Sequence, residues 1–365
     1  MAWYQMDSAT AYFDDPAVSQ SQLKALIKGL GSFKNVDPDA EEPTHFIHGS
    51  ALDCKLLTPS LMDREFYTSK LVKKPSDTMM SIARLAFSTS PDKNIDSMIA
   101  RSHIYNAINL KGYYMNRRKD NFTLDKRPDD VIKAVREYWN DLVVANGRSI
   151  LSQEDSSLID RIALSFRSHR HTAKYFYEDQ NVDMITQMPI YFTYRGMACK
   201  ALLDMVLVDH AARTIQVIDV KTIGESTKAF PRNAKKFRYD IQAAWYTLAI
   251  SSIKSFQANS LLSINLENYT ILPFKFMVES TSYPGSLPLM YTVTTADLSM
   301  GRYGGSTINR ITSARTKTTR ETVINHHGFE HGLTLYEWHQ HHNQWEIDRH
   351  IVEAEGDLPL QTWNL

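Results

Sequence analysis

Cysteine is nearly absent from this sequence: Cys54 and Cys199 are the two in 365 residues. Two thiols cannot build a disulfide framework, an all-thiolate zinc site or a four-thiolate iron–sulfur cluster, and both are expected as buried thiols. A surplus of charge is missing as well, with 41 Lys and Arg against 41 Asp and Glu. A protein that coats nucleic acid needs excess cation, so that role is disfavoured, while a local basic groove stays open. No apolar run of roughly 18 residues exists to span a bilayer. The opening stretch MAWYQMDSATAYFDD lacks the basic and apolar regions of a signal peptide. A soluble protein of the cytoplasm (of the host cell, if phage-encoded), with no membrane partner, is expected. Repeats and low-complexity tracts are also missing. What is present is 43% hydrophobic residues, enough for one large domain or two ordinary ones of about 100–200 residues.

Helical patterns flank a strand-rich middle. Ser19 stands as a cap before Leu23, Leu26, Ile27 and Leu30, a 3.6 period that predicts a helix; Gly29 and Gly31 should end it. A second helix is predicted from near Gly49, carrying Ala51, Leu52, Leu56 and Leu57 up to Pro59. Residues 75–150 read as helical with a charged, irregular middle from Asn116 to Pro128, the pattern of a solvated face. Ser152 and Asp155 resemble a capping box that opens a helix to about residue 172. From 187 to 221 the pattern changes to short β-branched runs separated by turns, as in an antiparallel meander. A helix over about 234–253 follows, then strands near 269–279 and 289–294. Residues 301–365 are rich in Thr, Arg and His and should end in a helix near 333–352. The simplest architecture is α/β, a central mixed sheet flanked by helices, in a single domain. Its parts are an N-terminal helical part (1–74), a helical insertion (75–150), a core (151–300) and a helical extension (301–365).

The segment from Leu202 to Lys221 is the most informative. A hairpin symmetric about Ala211 and Ala212 places Asp204 directly across from Asp219. Opposed residues share a face, as do residues two apart on one strand, so Lys221 joins them. A slip of one residue would send Asp204 to the other face. Opposed carboxylates repel, and a hard divalent cation such as Mg²⁺, which takes oxygen ligands and keeps several waters, suits them best. The alternative is a surface pairing of Asp204 with Lys221. In the helix that follows, Phe237, Ile241, Ala244, Trp245 and Leu248 make an apolar stripe, with Tyr239, Gln242 and Tyr246 beside it. The amide and phenol of Gln242 and Tyr246 are candidates to face phosphate or water; the alternative is that they simply pack.

Asp204, then Ile218-Asp219-Val220-Lys221, then Gln242-Ala243-Ala244-Trp245-Tyr246 resembles the PD-(D/E)XK nuclease superfamily, with the Gln-x-x-x-Tyr motif of its RecB-like branch. More narrowly it is similar to the RecE-type (exonuclease VIII-like) phage recombination exonucleases. Val18 to Lys24, Gly49 to Pro59, Phe274 to Glu279, and Tyr283-Pro284 resemble further family segments. The sequence departs from the family where a metal-binding histidine is replaced by Asp53, where a glutamate is replaced by Thr58, and where a strand-initial glutamate is replaced by Gln187. His48 is an alternative ligand in another register.

The resemblance implies that Asp204, Asp219, Asp53 and the Val220 carbonyl hold Mg²⁺, with Mn²⁺ as a substitute. It further implies that Lys221 orients water, that Gln242 and Tyr246 position the adjacent phosphate, and that Gln187 contributes a neutral polar group. The implied reaction is hydrolysis of linear double-stranded DNA from its ends, 5′ to 3′, by a homo-oligomeric ring working beside a single-strand annealing protein. Arg232, Lys235, Lys236 and Arg238 form a candidate DNA track, and Arg117, Arg118 and Lys119 a second. Two other readings stay open: a non-catalytic DNA-binding or assembly module on a nuclease fold, and a structure-selective endonuclease. The dense histidines His326, His327, His331, His339, His341, His342 and His350 lack an HExxH pattern and are read as a polar helix rather than a zinc site.

Overall fold

The computed structural model describes residues 2–5, 9–34, 44–177, 179–253, 268–312 and 319–353. Residues 1–40 and 164–365 form one unit and residues 41–163 another. The helical unit therefore extends well to either side of the 75–150 expected for an insertion.

In the first unit the strands are β1 (Ala2–Gln5), β2 (Val182–Tyr194), β3 (Met197–Asp209), β4 (Thr214–Ile223), β5 (Thr270–Ile271), β6 (Lys275–Ser280) and β7 (Leu289–Thr292). They make a mixed sheet in the order β1-β2-β3-β4-β6-β7, with β5 also on β4. The meander predicted from the β-branched runs is β2-β3-β4, all antiparallel. β4 then pairs in parallel with β6. From Ile215 to Val220 every residue of β4 is buried, as a strand covered on both faces requires. Between β3 and β4 the pairs run from Met205 opposite Ile218 to Asp209 opposite Thr214, the register expected of the hairpin. Its turn is held by Asp209 Oδ1, which accepts the Ala212 amide at 2.7 Å.

The helices of this unit include α1 (Gln20–Lys28), α2 (Phe230–Phe237), α3 (Tyr239–Ile253), α4 (Thr295–Tyr303) and α5 (Phe329–His342). Ser19 caps α1 in a complete capping box with Gln22, and α1 ends at Gly29 with φ 121°, a backbone that favours glycine. Gly31, expected as a terminator, instead lies inside a short helix, Leu30–Lys34. The single helix expected over 234–253 is two, because Arg238 adopts a left-handed φ of 54° between α2 and α3. Phe237 is therefore an exposed residue of α2 and no part of a core stripe. α3 is buried nearly all round, and its Trp245 packs on Phe192 and Phe329. At Gly301 of α4 an added Cβ would stand 2.0 Å from the Asp240 carbonyl oxygen, so this glycine lets α4 lie directly on the start of α3.

The extension expected to be helical contains an antiparallel hairpin of β8 (Gly304–Thr312) and β9 (Thr319–His327). Its many Thr, Arg and His residues concealed the alternation. α5 begins at Phe329, earlier than expected, and a short helix, Arg349–Glu353, follows.

The helical unit packs Asp77–Thr89, Met98–Leu110 and Arg127–Ala145 around Ile82, Ile104, Ile108, Val135 and Trp139. Its charged middle folds onto a buried ion pair. Arg127 meets Asp125 at 2.8 Å and donates to the Tyr113 carbonyl and the Asn109 side chain. The helix carrying Asp53 runs Thr44–Leu57 and starts earlier than Gly49. Ser152 and Asp155 form the expected capping box, and the helix they open ends at Ser168. Among the described residues no helix is long and apolar enough to cross a membrane. Cys54 and Cys199 are buried free thiols, and burial pushes Cys199 up to about 11.

Candidate carboxylate and lysine centre

The sheet forks where the two aspartates stand. Pairing of β3 with β4 stops at Met205 and Ile218. Beyond it, β4 continues against β6 alone, while the edge of β3 that β4 leaves receives the segment around Val18: the Val18 amide donates to the Ala198 carbonyl at 2.9 Å, and the Val18 carbonyl accepts from the Lys200 amide at 2.8 Å. Asp204 lies on the β3 side of this fork, one residue past the last pair, and its Oδ2 accepts the Val220 amide at 2.9 Å. On the other edge of β3 the ladder with β2 passes from Thr186·Met205 to Met188·Leu203 and skips Gln187 and Asp204. Gln187 has φ 51°, a sparsely populated region for a side chain with a Cβ.

Asp219 is 1% exposed. Its Oδ1 accepts from Gln242 Nε2 at 2.7 Å. Its Oδ2 is buried, has no hydrogen bond of good geometry and meets the Lys221 ammonium as a close ion pair. Burial raises the Asp219 pKa, while Lys221 and a hydrogen bond with Asp204 act in the opposite sense. Two carboxylates in contact cannot both ionise freely. For Lys221, burial opposes the charge, yet the Asp219 and Asp204 carboxylates outweigh it and hold its pKa above the ordinary value. The expected alternative, a surface pair of Asp204 with Lys221, is not what forms: Lys221 pairs with buried Asp219.

α3 brings Gln242 and Tyr246 to the same place. Tyr246 is buried and its pKa is raised, first by burial and then by the Asp219 and Asp204 charges. Asp204, Asp219, Lys221, Gln242 and Tyr246 thus gather in one unit, with Gln187 across from Asp204. Sequence reasoning missed Lys24 on α1. Burial and the charge of Lys221 lower its pKa to about 8. Its ammonium lies 5.7 Å from the Tyr239 ring centre, and Lys221 lies 5.3 Å from the same ring. The available signal was a lysine three residues before Ile27, inside the apolar stripe of α1.

The oxygen donors of the sheet unit here are two carboxylates and the Val220 carbonyl, which also accepts from Lys221 at 3.3 Å. Asp53 lies in the helical unit. Among the described residues no three His, Cys, Asp or Glu side chains group as metal ligands. The all-oxygen donor set fits a hard divalent ion, which would displace the Lys221 ammonium from Asp219 Oδ2.

Of the basic run, Arg232 pairs with Glu225, and Arg238 binds Asp240 through two nitrogens, the shorter contact 2.8 Å. Lys235 and Lys236 are exposed. In the second run Arg117 pairs with Asp130 at 2.9 Å. The histidine-rich tail is divided among elements: His326 and His327 end β9, and His339, His341 and His342 lie on α5. His327 and His331 stack at 4.0 Å, but one is on a strand and the other on a helix, so their i, i+4 spacing is not a helical one. His48 pairs with Asp155 at 3.0 Å. Compared with known proteins, the chain matches no family model and no curated sequence.

Proposed function

We propose that this protein is a Mg²⁺-dependent exodeoxyribonuclease of the PD-(D/E)XK type, hydrolysing phosphodiester bonds at the ends of linear double-stranded DNA. The observation that carries this reading is the meeting of Asp204, Asp219, Lys221 and Gln242 at the point where β3 and β4 part. Elsewhere in a sheet covered on both faces, two carboxylates and an ammonium would be a costly insertion. Asp204, Asp219 and the Val220 carbonyl would hold the ion, which supplies Lewis acidity to a phosphate oxygen and lowers the pKa of a bound water. Lys221 holds its proton throughout the neutral range and presents a fixed positive charge to the phosphoryl oxygens. Gln242 fixes one oxygen of Asp219 and so the direction in which the other points. Tyr246 keeps its proton and can donate it in a hydrogen bond to a phosphate oxygen.

Purified protein should release nucleotides from linear duplex DNA with Mg²⁺ or Mn²⁺ and leave covalently closed circles intact. Asp219→Asn should abolish release. Activity that persists in that variant would refute the assignment, and cutting of the closed circle would make the protein an endonuclease. A second reading has its own observation: Asp204 holds the Val220 amide, and Asp219 is closed by Gln242 and Lys221. A chain that binds DNA without turnover would be a non-catalytic module on this fold.

A further inference from the structure

The sheet unit holds a cavity of about 390 Å³, within the range of roughly 300–1,000 Å³ usual for small-molecule sites. Its wall is aromatic. Phe230 packs on Tyr291 and Phe276 with ring centres 5.1 and 5.3 Å apart, and the Tyr291 hydroxyl is already engaged, donating to the Thr227 carbonyl at 2.9 Å. Phe230 and Phe276 are buried within this block, so the partly exposed ring of Tyr291 is the flat apolar face that the wall offers a ligand. The block continues to the centre: Tyr239 stacks on Phe230 and carries the Lys221 ammonium over its ring, and Phe276 is the ladder partner of Asp219.

The charged groups at the cavity are unequal. Asp240 is taken up by Arg238. Asp297 is taken up by the cap of its own helix, accepting from the Thr294 amide and hydroxyl at 2.9 and 2.7 Å. Lys235 lines the same cavity, and among the described residues its ammonium has no ion-pair partner. Thr307 and His326, hydrogen-bonded to one another at 2.9 Å, supply polar edges. An aromatic face, polar edges and a lysine without an ion-pair partner match a ligand that is planar, hydrogen-bonding and anionic.

We infer that this cavity binds a nucleotide, its base against the ring of Tyr291 and its phosphate at Lys235. The inference rests on the proposed function for the source of the ligand, a released nucleoside monophosphate or the terminal nucleotide of a strand, and on the cavity alone for its chemistry. Base stacking on aromatic side chains is tolerant of sequence, which suits an enzyme that must accept every base.

The test is calorimetry on the full chain in EDTA with dAMP, deoxyadenosine, inorganic phosphate and a short 5′-phosphorylated single strand. Expected is dAMP binding at least about tenfold tighter than deoxyadenosine or phosphate. Lys235→Glu should remove that advantage while leaving deoxyadenosine binding unchanged, and Ala234→Trp, which fills the cavity, should remove both. Tighter binding of the strand than of dAMP assigns the cavity to a DNA end, and the reverse assigns it to product. Equal affinity for dAMP and deoxyadenosine, or binding indifferent to Lys235→Glu, overturns the inference. Lys235 is exposed, so that variant reports even if Ala234→Trp does not fold. The parent protein separates the two readings: a parent that binds dAMP but never cuts linear DNA refutes the proposed activity and leaves the cavity assigned.

Discussion

Removing Asp219 should damage the fold as well as any chemistry, because Lys221 would keep its charge with its nearest partner gone. The side chains of the pair are 1% and 19% exposed. Deleting one partner of a buried ion pair costs about 3–5 kcal/mol, whereas replacing both with apolar groups is often neutral. Lys221 retains some solvent and has Asp204 nearby, which places Asp219→Ala at the lower end, about 3 kcal/mol. At about 1.4 kcal/mol per tenfold, that is on the order of a 100-fold loss of hydrogen-exchange protection for the β4 amides of Val217 and Ile218. Lys221→Met leaves a buried carboxylate whose pKa is already raised by burial. A raised carboxyl pKa stabilises the fold below the ordinary carboxylate range and loses that effect as pH climbs through the folded value. Lys221→Met should therefore be least harmful in acid and progressively worse as pH rises. The double variant should lie within about 1 kcal/mol of the parent. Additive losses, with the double variant as unstable as the two singles combined, would refute the claim that these groups form one buried unit. Asp219→Asn keeps the side-chain shape but strands the same Lys221 charge, so an assay of its activity should be read beside its hydrogen exchange.

Two further outcomes follow from packing and charge. Burial opposes the Asp125 charge, but hydrogen bonds from Arg127 and the Lys119 amide outweigh it and hold its pKa at about 2; Asp155 in the same unit is held equally low, with Ser152 and Lys74 overcoming its burial. Depressed carboxylates stabilise the fold above about pH 4 and lose this as pH falls through their folded values, so helicity of this unit should fade between about pH 4 and 2. Asp125→Asn should shrink that acid step and cost about 3–5 kcal/mol at neutral pH by stranding Arg127; an unchanged acid titration would refute the role of the pair. Gly301→Ala should lower the melting temperature by forcing α4 off the Asp240 carbonyl, a clash worth at least about 1–3 kcal/mol, and a melt like the parent's would contradict the close approach.

The central hairpin was legible because its apolar alternation and polar turn constrain each other: once Ala211 and Ala212 are taken as the turn, Asp204 and Asp219 must approach. Local capping chemistry at Ser19 and Ser152 was equally readable. What escaped were features decided by tertiary context. Nothing local marks Arg238 as a left-handed break, since arginine has no preference for that backbone. The β8–β9 hairpin has exposed faces and so lacks the apolar period on which strand reading depends. Lys24 reaches the centre only because α1 is folded against α3, a contact between residues far apart in sequence.

Gln187 has a consequence for how such a sheet can change over time. The ladder between β2 and β3 keeps the same register on both sides of the skipped pair, so no residue has been inserted and no side chain has traded one face of the sheet for the other. The interruption at Asp204 is thus separable from the core: a glycine at 187 would relax the backbone, and the thirteen-residue partner strands would keep every buried contact in phase. Substitutions at this one position could open or close access to a carboxylate without renegotiating the packing around it.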